Sequence, residues 1–289
     1  MSDTRLRATR PPGWIRRSLK TNETYFALRK KVHSMGLATV CESALCPNIT
    51  ECWCKGVLTV MILGDICTRS CRFCAVRTGK PGHVDADEPR RVAQLVGELG
   101  AAYVVITSVD RDDLPDGGAA HWAETIRLVK HAGIEVEALV PDFRGDSKAQ
   151  DTVMQSEPSV FSHNIETVRA LQHIARPQAD YTQSLLLLRG SADHGLLTKS
   201  GFMVGLGETI IQIEETLGDL ADSGTSLVAV GQYLQPRIDL LPVQKYWSPE
   251  EFSRIEDIGR GMGLSVLAGP MVRSSYRADE LAHGALISP

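Results

Sequence analysis

The sequence predicts an α/β protein whose parallel strands wrap part of a barrel. Past residue 56, short apolar runs alternate with amphipathic stretches of helix length, which is the rhythm of repeated βαβ units. Polar and glycine-rich stretches follow the apolar runs directly, at 108–118, 141–146 and 205–208. A parallel barrel gathers such loops at its carboxyl face, where sites are built. Six units fit in the chain, too few for the eight of a closed barrel, so a partial (β/α)6 TIM-type barrel is expected.

The first buried strand reads at 57–63. Pro89 then opens a helix at 89–99, in the first turn where proline is favoured, and Gly100 stops it. Strands follow at 103–107, 134–140, 159–163, 199–204 and 227–231. Helices are expected between them at 119–130, 147–155, 166–174 and 208–222, with another at 249–262 before a last short apolar run at 264–268. The chain divides into an N-terminal cysteine-rich extension (1–56), the barrel (57–268) and a C-terminal segment covering the barrel mouth (269–289).

At 289 residues, 43% hydrophobic and 23% charged, the chain can bury a core of ordinary size. A net charge of -4 carries no global signal for nucleic acid. Arg5, Arg7, Arg10, Arg16, Arg17 and Lys20 stand against Asp3 near the start, with Pro11, Pro12 and Gly13 breaking any presequence helix. A solvated basic arm is expected there. No apolar run is long enough to span a membrane, so a cytoplasmic protein with neither nucleic acid nor membrane as partner is expected.

All seven cysteines fall between Cys41 and Cys74. An odd number crowded into one region argues against a disulfide framework and for reduced thiols available as metal ligands. Cys67, Cys71 and Cys74 have the spacing Cys-x3-Cys-x2-Cys straight after the first strand. Three thiolates are an incomplete set for a cubane cluster, so one iron is left open. The alternative is a structural zinc site, with His83 or another cysteine as fourth ligand. Upstream, Cys41, Cys46 and Cys52 form a second incomplete set, Cys-x4-Cys-x5-Cys, on the other side of the strand. Cys54 is a further ligand only if the chain is extended there, and a bystander is the preferred reading.

The first triad resembles the signature of the radical S-adenosylmethionine superfamily. With the second triad in view, the chain resembles the lipoyl synthase family. The likeness runs through RPPGWIRRSL, CESALCPNITECW, MILGDICTRSCRFCAV, SVDRDDLPDGGA, LVPDFRGD, HNIETV, RPQADY, LLTKSGFMVGLGET, GQYLQP, PEEF and GPMVRSSY. It implies two 4Fe-4S clusters, the second taking Ser275 of RSSY as its fourth ligand beside Cys41, Cys46 and Cys52. It implies radical cleavage of S-adenosyl-L-methionine at the Cys67, Cys71, Cys74 cluster. Two sulfur atoms are then inserted at C6 and C8 of a protein-bound octanoyl group, supplied by the auxiliary cluster. The implied partners are octanoylated lipoyl-carrier domains, namely the glycine-cleavage carrier protein and 2-oxoacid dehydrogenase acyltransferase subunits, with reduced ferredoxin or flavodoxin as electron donor.

S-adenosylmethionine needs polar partners, and the residues at strand carboxyl ends are the expected lining: Ser108, Asp110, Arg111, Asn164, Glu166, Gly205, Gly207 and Glu208. His163 is the one histidine placed for a role in the site. Lys199 either meets a carboxylate inside the barrel or snorkels out. Ser162, the additional Cys54 and a short link at 191–195 depart from the family pattern without touching a cluster ligand. Another sulfur-inserting enzyme of the superfamily, such as a biotin synthase, lacks the Cys41, Cys46, Cys52 and RSSY pairing. A zinc-stapled binding protein would use both cysteine groups structurally.

Overall fold

The computed structural model describes residues 11–287, so Arg5, Arg7 and Arg10 of the expected basic arm lie outside the described residues. Asn22 accepts from the Tyr25 amide at 3.0 Å and starts α1 (Glu23–Ser34). The edge strand β1 (Ala38–Thr39) leads into α2 (Val40–Ser43), capped by the Thr39 hydroxyl, and α3 (Ile49–Cys54) completes the extension. The first barrel strand is β2 (Thr59–Ile62). The short strands β3 (Ile66–Cys67) and β4 (Arg77–Thr78) pair with each other and frame the loop that carries Cys71 and Cys74.

Strands and helices then alternate: α4 (Glu88–Glu98), β5 (Tyr103–Ser108), α5 (Ala119–His131), β6 (Glu135–Leu139), α6 (Ser147–Met154), β7 (Val160–Ser162), α7 (Gln172–Ala175), α8 (Tyr181–Asp193), β8 (Thr198–Val204), α9 (Ile210–Asp222), β9 (Leu227–Gln232), α10 (Pro249–Gly261), β10 (Ser265–Gly269) and α11 (Ala278–Ile287). They build an eight-stranded sheet in the order β1-β2-β5-β6-β7-β8-β9-β10. Only β1 is antiparallel, so seven strands run parallel. The last apolar run becomes a full member, β10, in register with β9 from Ser265↔Leu227 to Gly269↔Gly231. Among the described residues β1 and β10 do not pair, and the barrel stays open. No helix among them is long and apolar enough to cross a membrane.

The helix expected at 166–174 is a correction. Glu166 takes a positive φ of 68° and bridges to Phe202 beside β8, which holds the chain extended where the helix should start. Only a 3-10 turn (Arg169–Leu171) and the single turn of α7 form there. The crossover is α8, opened by Asp180 accepting from the Gln183 amide at 2.7 Å. Tyr181, Ser184, Leu187, Leu188 and Ser191 fall on its buried side at helical spacing. Ser191 and Asp193, read as part of a short link, are the end of this helix.

Each strand turns alternate residues outward to the helices and inward to the barrel. Outward, Val104, Ile106, Phe202, Val204, Val228 and Val230 are buried, as are Leu95, Trp122, Ile213 and Phe252 of the surrounding helices. Inward, Thr107, Leu139 and Met203 line a central cavity. Lys199 lies four residues before Met203 on the same face of β8, and its Nζ meets both carboxylate oxygens of Glu137 at 2.9 Å. Both side chains are fully buried, and the Tyr103 hydroxyl donates to Glu137 at 2.8 Å. The lysine therefore faces the interior, as one end of a barrel-floor ion pair.

Candidate active site

Cys67 ends β3 at the carboxyl face of the barrel. Its Sγ accepts from the amides of Arg69 at 3.4 Å and Asp110 at 3.3 Å, and its thiol donates to the Asp110 carboxylate at 3.5 Å. The loop that follows is pinned by Arg69, which is 4% exposed. Its guanidinium forks onto Asp112 at 2.8 and 2.9 Å and onto Asp142 at 2.9 and 2.6 Å, with Asp110 at 3.4 Å. Burial works against that charge, but the carboxylates outweigh it and raise the Arg69 pKa. One side chain thus ties the cysteine loop to the loops after β5 and β6.

The second triad sits on the N-terminal extension. Cys41 lies in α2, Cys46 in the following turn, where its amide donates to the Cys41 carbonyl, and Cys52 in α3. Cys52 and Cys54 are two apart on a helix, so their side chains diverge. The Cys54 thiol donates instead to the Lys20 carbonyl at 3.5 Å. Asn48 joins this region to the C-terminal segment, donating to the Met271 carbonyl at 2.7 Å. Gly231 of β9 lets the segment approach: a Cβ there would stand 2.1 Å from the Val272 carbonyl oxygen.

The central cavity, of about 330 Å³, is lined by Cys67, Cys71 and Cys74 from one set and by Cys46 and Ser275 from the other. That volume lies within the range of small-molecule sites. Ser108, Asp110, His163, Asn164 and Glu166 also line it. The Ser108 hydroxyl accepts from the Trp122 indole at 3.1 Å. Asn164 donates to Glu166 at 3.0 Å and accepts from Ser274 at 2.8 Å. His163 has both ring nitrogens engaged, with the Val140 carbonyl at 2.8 Å and Ser184 at 3.1 Å. Burial lowers its pKa to about 4, so the ring is neutral.

Four of the expected binding residues are not among those lining the cavity. Arg111 turns to the carbonyls of Leu63 and Gly82 and to Asp113. Glu208 folds back to accept from the amides of Gly205 and Leu206, at 2.6 and 2.9 Å, and from the Trp247 indole at 2.9 Å. The Gly205–Gly207–Glu208 turn is thereby closed on itself. Three arginines that the strand-end reasoning passes over do line the cavity: Arg69, Arg176 and Arg273. Arg176 is buried, donates from Nη1 to the Asn164 carbonyl at 3.1 Å, and leaves Nε without a partner among the described residues.

Burial pushes the thiols up: Cys41 to about 11, Cys52 to about 12, Cys67 to about 12, Cys71 to about 11 and Cys74 to about 12. Neighbouring thiolate or carboxylate charge adds to burial in each, while Arg176 opposes it at Cys71. Such thiols ionise at neutral pH when a metal compensates their charge, the condition an iron–sulfur cluster supplies. Among the described residues no three His, Cys, Asp or Glu side chains are close enough to hold a single metal ion. A cubane asks for wider spacing, since each cysteine takes its own iron. The donor sets fit that group.

The family model of the radical SAM superfamily matches residues 61–220. The lipoyl synthase of Thermus thermophilus is 53% identical over 277 residues, covering 93% of this chain and 86% of that one. That of Chlorobium phaeobacteroides is 45% identical over 278 residues, covering 94% and 97%. Among solved structures, Streptococcus suis SuiB bound to S-adenosylmethionine superposes with a TM-score of 0.58 at 11% identity, over 76% of this chain and 54% of that one. Methylornithine synthase gives 0.54 at 14% identity, over 91% and 86%. The structural likenesses show the shared partial-barrel fold. The sequence likenesses cover 93% and 94% of the chain at 53% and 45% identity, and the chain belongs to the lipoyl synthase family.

Proposed function

We propose that Cys67, Cys71 and Cys74 hold the radical-generating cluster, and Cys41, Cys46, Cys52 and Ser275 the auxiliary one, for insertion of sulfur at C6 and C8 of an octanoyl group on a lipoyl-carrier domain. The observation that carries this reading is that Cys46 and Ser275 line the same cavity as the Cys67, Cys71, Cys74 set. A substrate chain in that cavity touches both sets at once. When bound, the first cluster supplies the electron that cleaves S-adenosylmethionine and the second supplies sulfur, chemistry no side chain offers.

The chain's own residues orient and exclude. Arg176 lines the cavity, where its charge acts on Asp110, Glu166 and Cys71, and a guanidinium there suits the carboxylate of S-adenosylmethionine. Burial raises the carboxyls of Asp110 and Glu166, so a cationic amino group beside them would hold them ionised. Val109, Leu139, Val140, Met203 and Tyr233 make much of the wall apolar, which admits an alkyl chain and keeps water from a reactive carbon centre. Residues 1–56 and 269–289 bring the auxiliary ligands to the barrel of 57–268. The glycine-cleavage carrier protein and 2-oxoacid dehydrogenase subunits are the proposed carriers, and reduced ferredoxin or flavodoxin the proposed donor, in the cytoplasm.

The test is mass spectrometry of an octanoylated carrier peptide incubated anaerobically with reduced enzyme and S-adenosylmethionine. The expected product gains two sulfurs as the dithiol, and loses two hydrogens only when that dithiol is afterwards oxidised in air to the disulfide. Recovery of unchanged peptide from enzyme that holds both clusters and cleaves S-adenosylmethionine would overturn the reading.

A further inference from the structure

A second cavity, of about 710 Å³, reaches the auxiliary ligands from outside the barrel mouth. Cys52, Val57, Leu58, Leu99, Tyr103 and Tyr276 are among the residues that line it, and Ser275 is the one residue it shares with the central cavity. Cys67, Cys71 and Cys74 do not line it. Most of its rim charges are paired, Lys55 with Glu51 at 2.9 Å, Arg277 with Glu280 and His283 with Glu135 at 3.2 Å, while Asp279 lines it without an ion pair among the described residues. The rim therefore lacks the single-sign field of an electrostatic docking patch.

We infer that this cavity is a separate entrance to the auxiliary site, by which released iron leaves the Cys52–Ser275 edge and replacement iron and sulfur reach it without crossing the substrate cavity. The inference rests on the reading of Cys52 and Ser275 as ligands. A site that gives up sulfur in each reaction must be refilled, and a carrier domain seated at the barrel mouth covers the central cavity. Refilling from the far side needs no release of that partner. Ser275 stands where the two cavities meet, so a group held there has one face toward each.

The entrance can be narrowed without touching a ligand. Val57 is 53% exposed and Ala102 is also exposed, and both line the cavity. In holoenzyme under anaerobic conditions, release of iron to a ferrous chelator is followed for wild type, Val57→Trp and Ala102→Trp. Cys52→Ala identifies the phase belonging to the auxiliary site. That phase is expected to slow severalfold in both tryptophan variants, with the other phase and S-adenosylmethionine cleavage unchanged. Equal slowing of both phases, or of neither, overturns the inference. Holoenzyme without iron would instead count against the cluster reading. In that case alkylation of Cys52, read by peptide mass spectrometry against Cys71 as control, still reports the entrance: unchanged rates in both variants sink it.

Discussion

The Ser274 hydroxyl donates to Asn164 Oδ1 at 2.8 Å, while Ser275, next in the chain, has no hydrogen-bond partner among the described residues and faces both cavities. Of these adjacent serines, one fastens the segment to the barrel and the other keeps its hydroxyl unengaged, as the proposed ligand role requires. Serine oxygen is a harder ligand than thiolate and leaves iron more readily.

Ser275→Ala should keep S-adenosylmethionine cleavage and lose sulfur insertion, whereas Cys71→Ala should lose cleavage. Ser274→Ala removes one hydrogen bond, worth about 1 kcal/mol, and should keep both activities. Cleavage assayed by release of 5'-deoxyadenosine, beside the mass of the carrier peptide, separates the three variants. Equal loss of both activities in Ser275→Ala and Cys71→Ala would end the assignment of separate roles.

Arg69 holds three carboxylates, of which Asp142 is fully buried. Arg69→Met leaves the Asp142 charge uncompensated and should destabilise the protein by about 3–5 kcal/mol. Arg69→Lys keeps a charge but cannot make two forks, so it should recover only part. Combining Arg69→Met with Asp142→Asn should restore more stability than either single change predicts. Denaturant midpoints of the four chains measure the coupling, and strict additivity would remove the hub from the account.

Acid should weaken the fold in two separate windows. Burial lowers His163 to about 4, below the ordinary 6.5. Its neutral form is favoured only in the folded state, so its contribution is complete above 6.5 and falls by about 3 kcal/mol as pH drops to about 4. Burial alone would raise Asp142, but the Arg69 hydrogen bonds and charge hold it down at about 2. Its contribution is present above 3.8 and is lost as pH falls toward 2, by roughly 2 kcal/mol. His163→Gln should flatten stability against pH between 6.5 and 5 relative to wild type. Cluster contributions are common to both chains and cancel in that difference, so an unchanged slope would clear His163 of the effect.

The barrel strands are legible in the sequence because strands buried on both faces stand out as continuous apolar runs. Helix α8 is harder: its four leucines, Leu185 to Leu188, look like a run without phase, and only Asp180 as cap shows where the turn count begins. The two cysteine triads are legible as candidate ligand sets because their spacing sets them apart. The residues that line the central cavity are not, because a polar side chain at a strand end has two directions open to it. Arg111 and Glu208 turn to orphaned backbone groups nearby, while Arg176 directly follows the short helix α7, outside the strand-end positions that guide the sequence reading.

Gly231 shows how backbone space sets ligand position. Its φ is not in the left-handed region, so alanine brings no dihedral strain. The obstacle is contact: a Cβ would lie 2.1 Å from the Val272 oxygen, and a backbone atom cannot turn aside as a side chain does. Gly231→Ala should therefore push residues 272–275 off β9 and carry Ser275 away from Cys46. Sulfur insertion should fall with loss of auxiliary-site iron, while cleavage of S-adenosylmethionine persists because Cys67, Cys71 and Cys74 belong to the loop on the β2 side. Iron and sulfide analysis of the reconstituted variant, with 5'-deoxyadenosine release as control, decides it. Full iron content with normal insertion would mean that the segment tolerates the shift and that the close approach does not position Ser275.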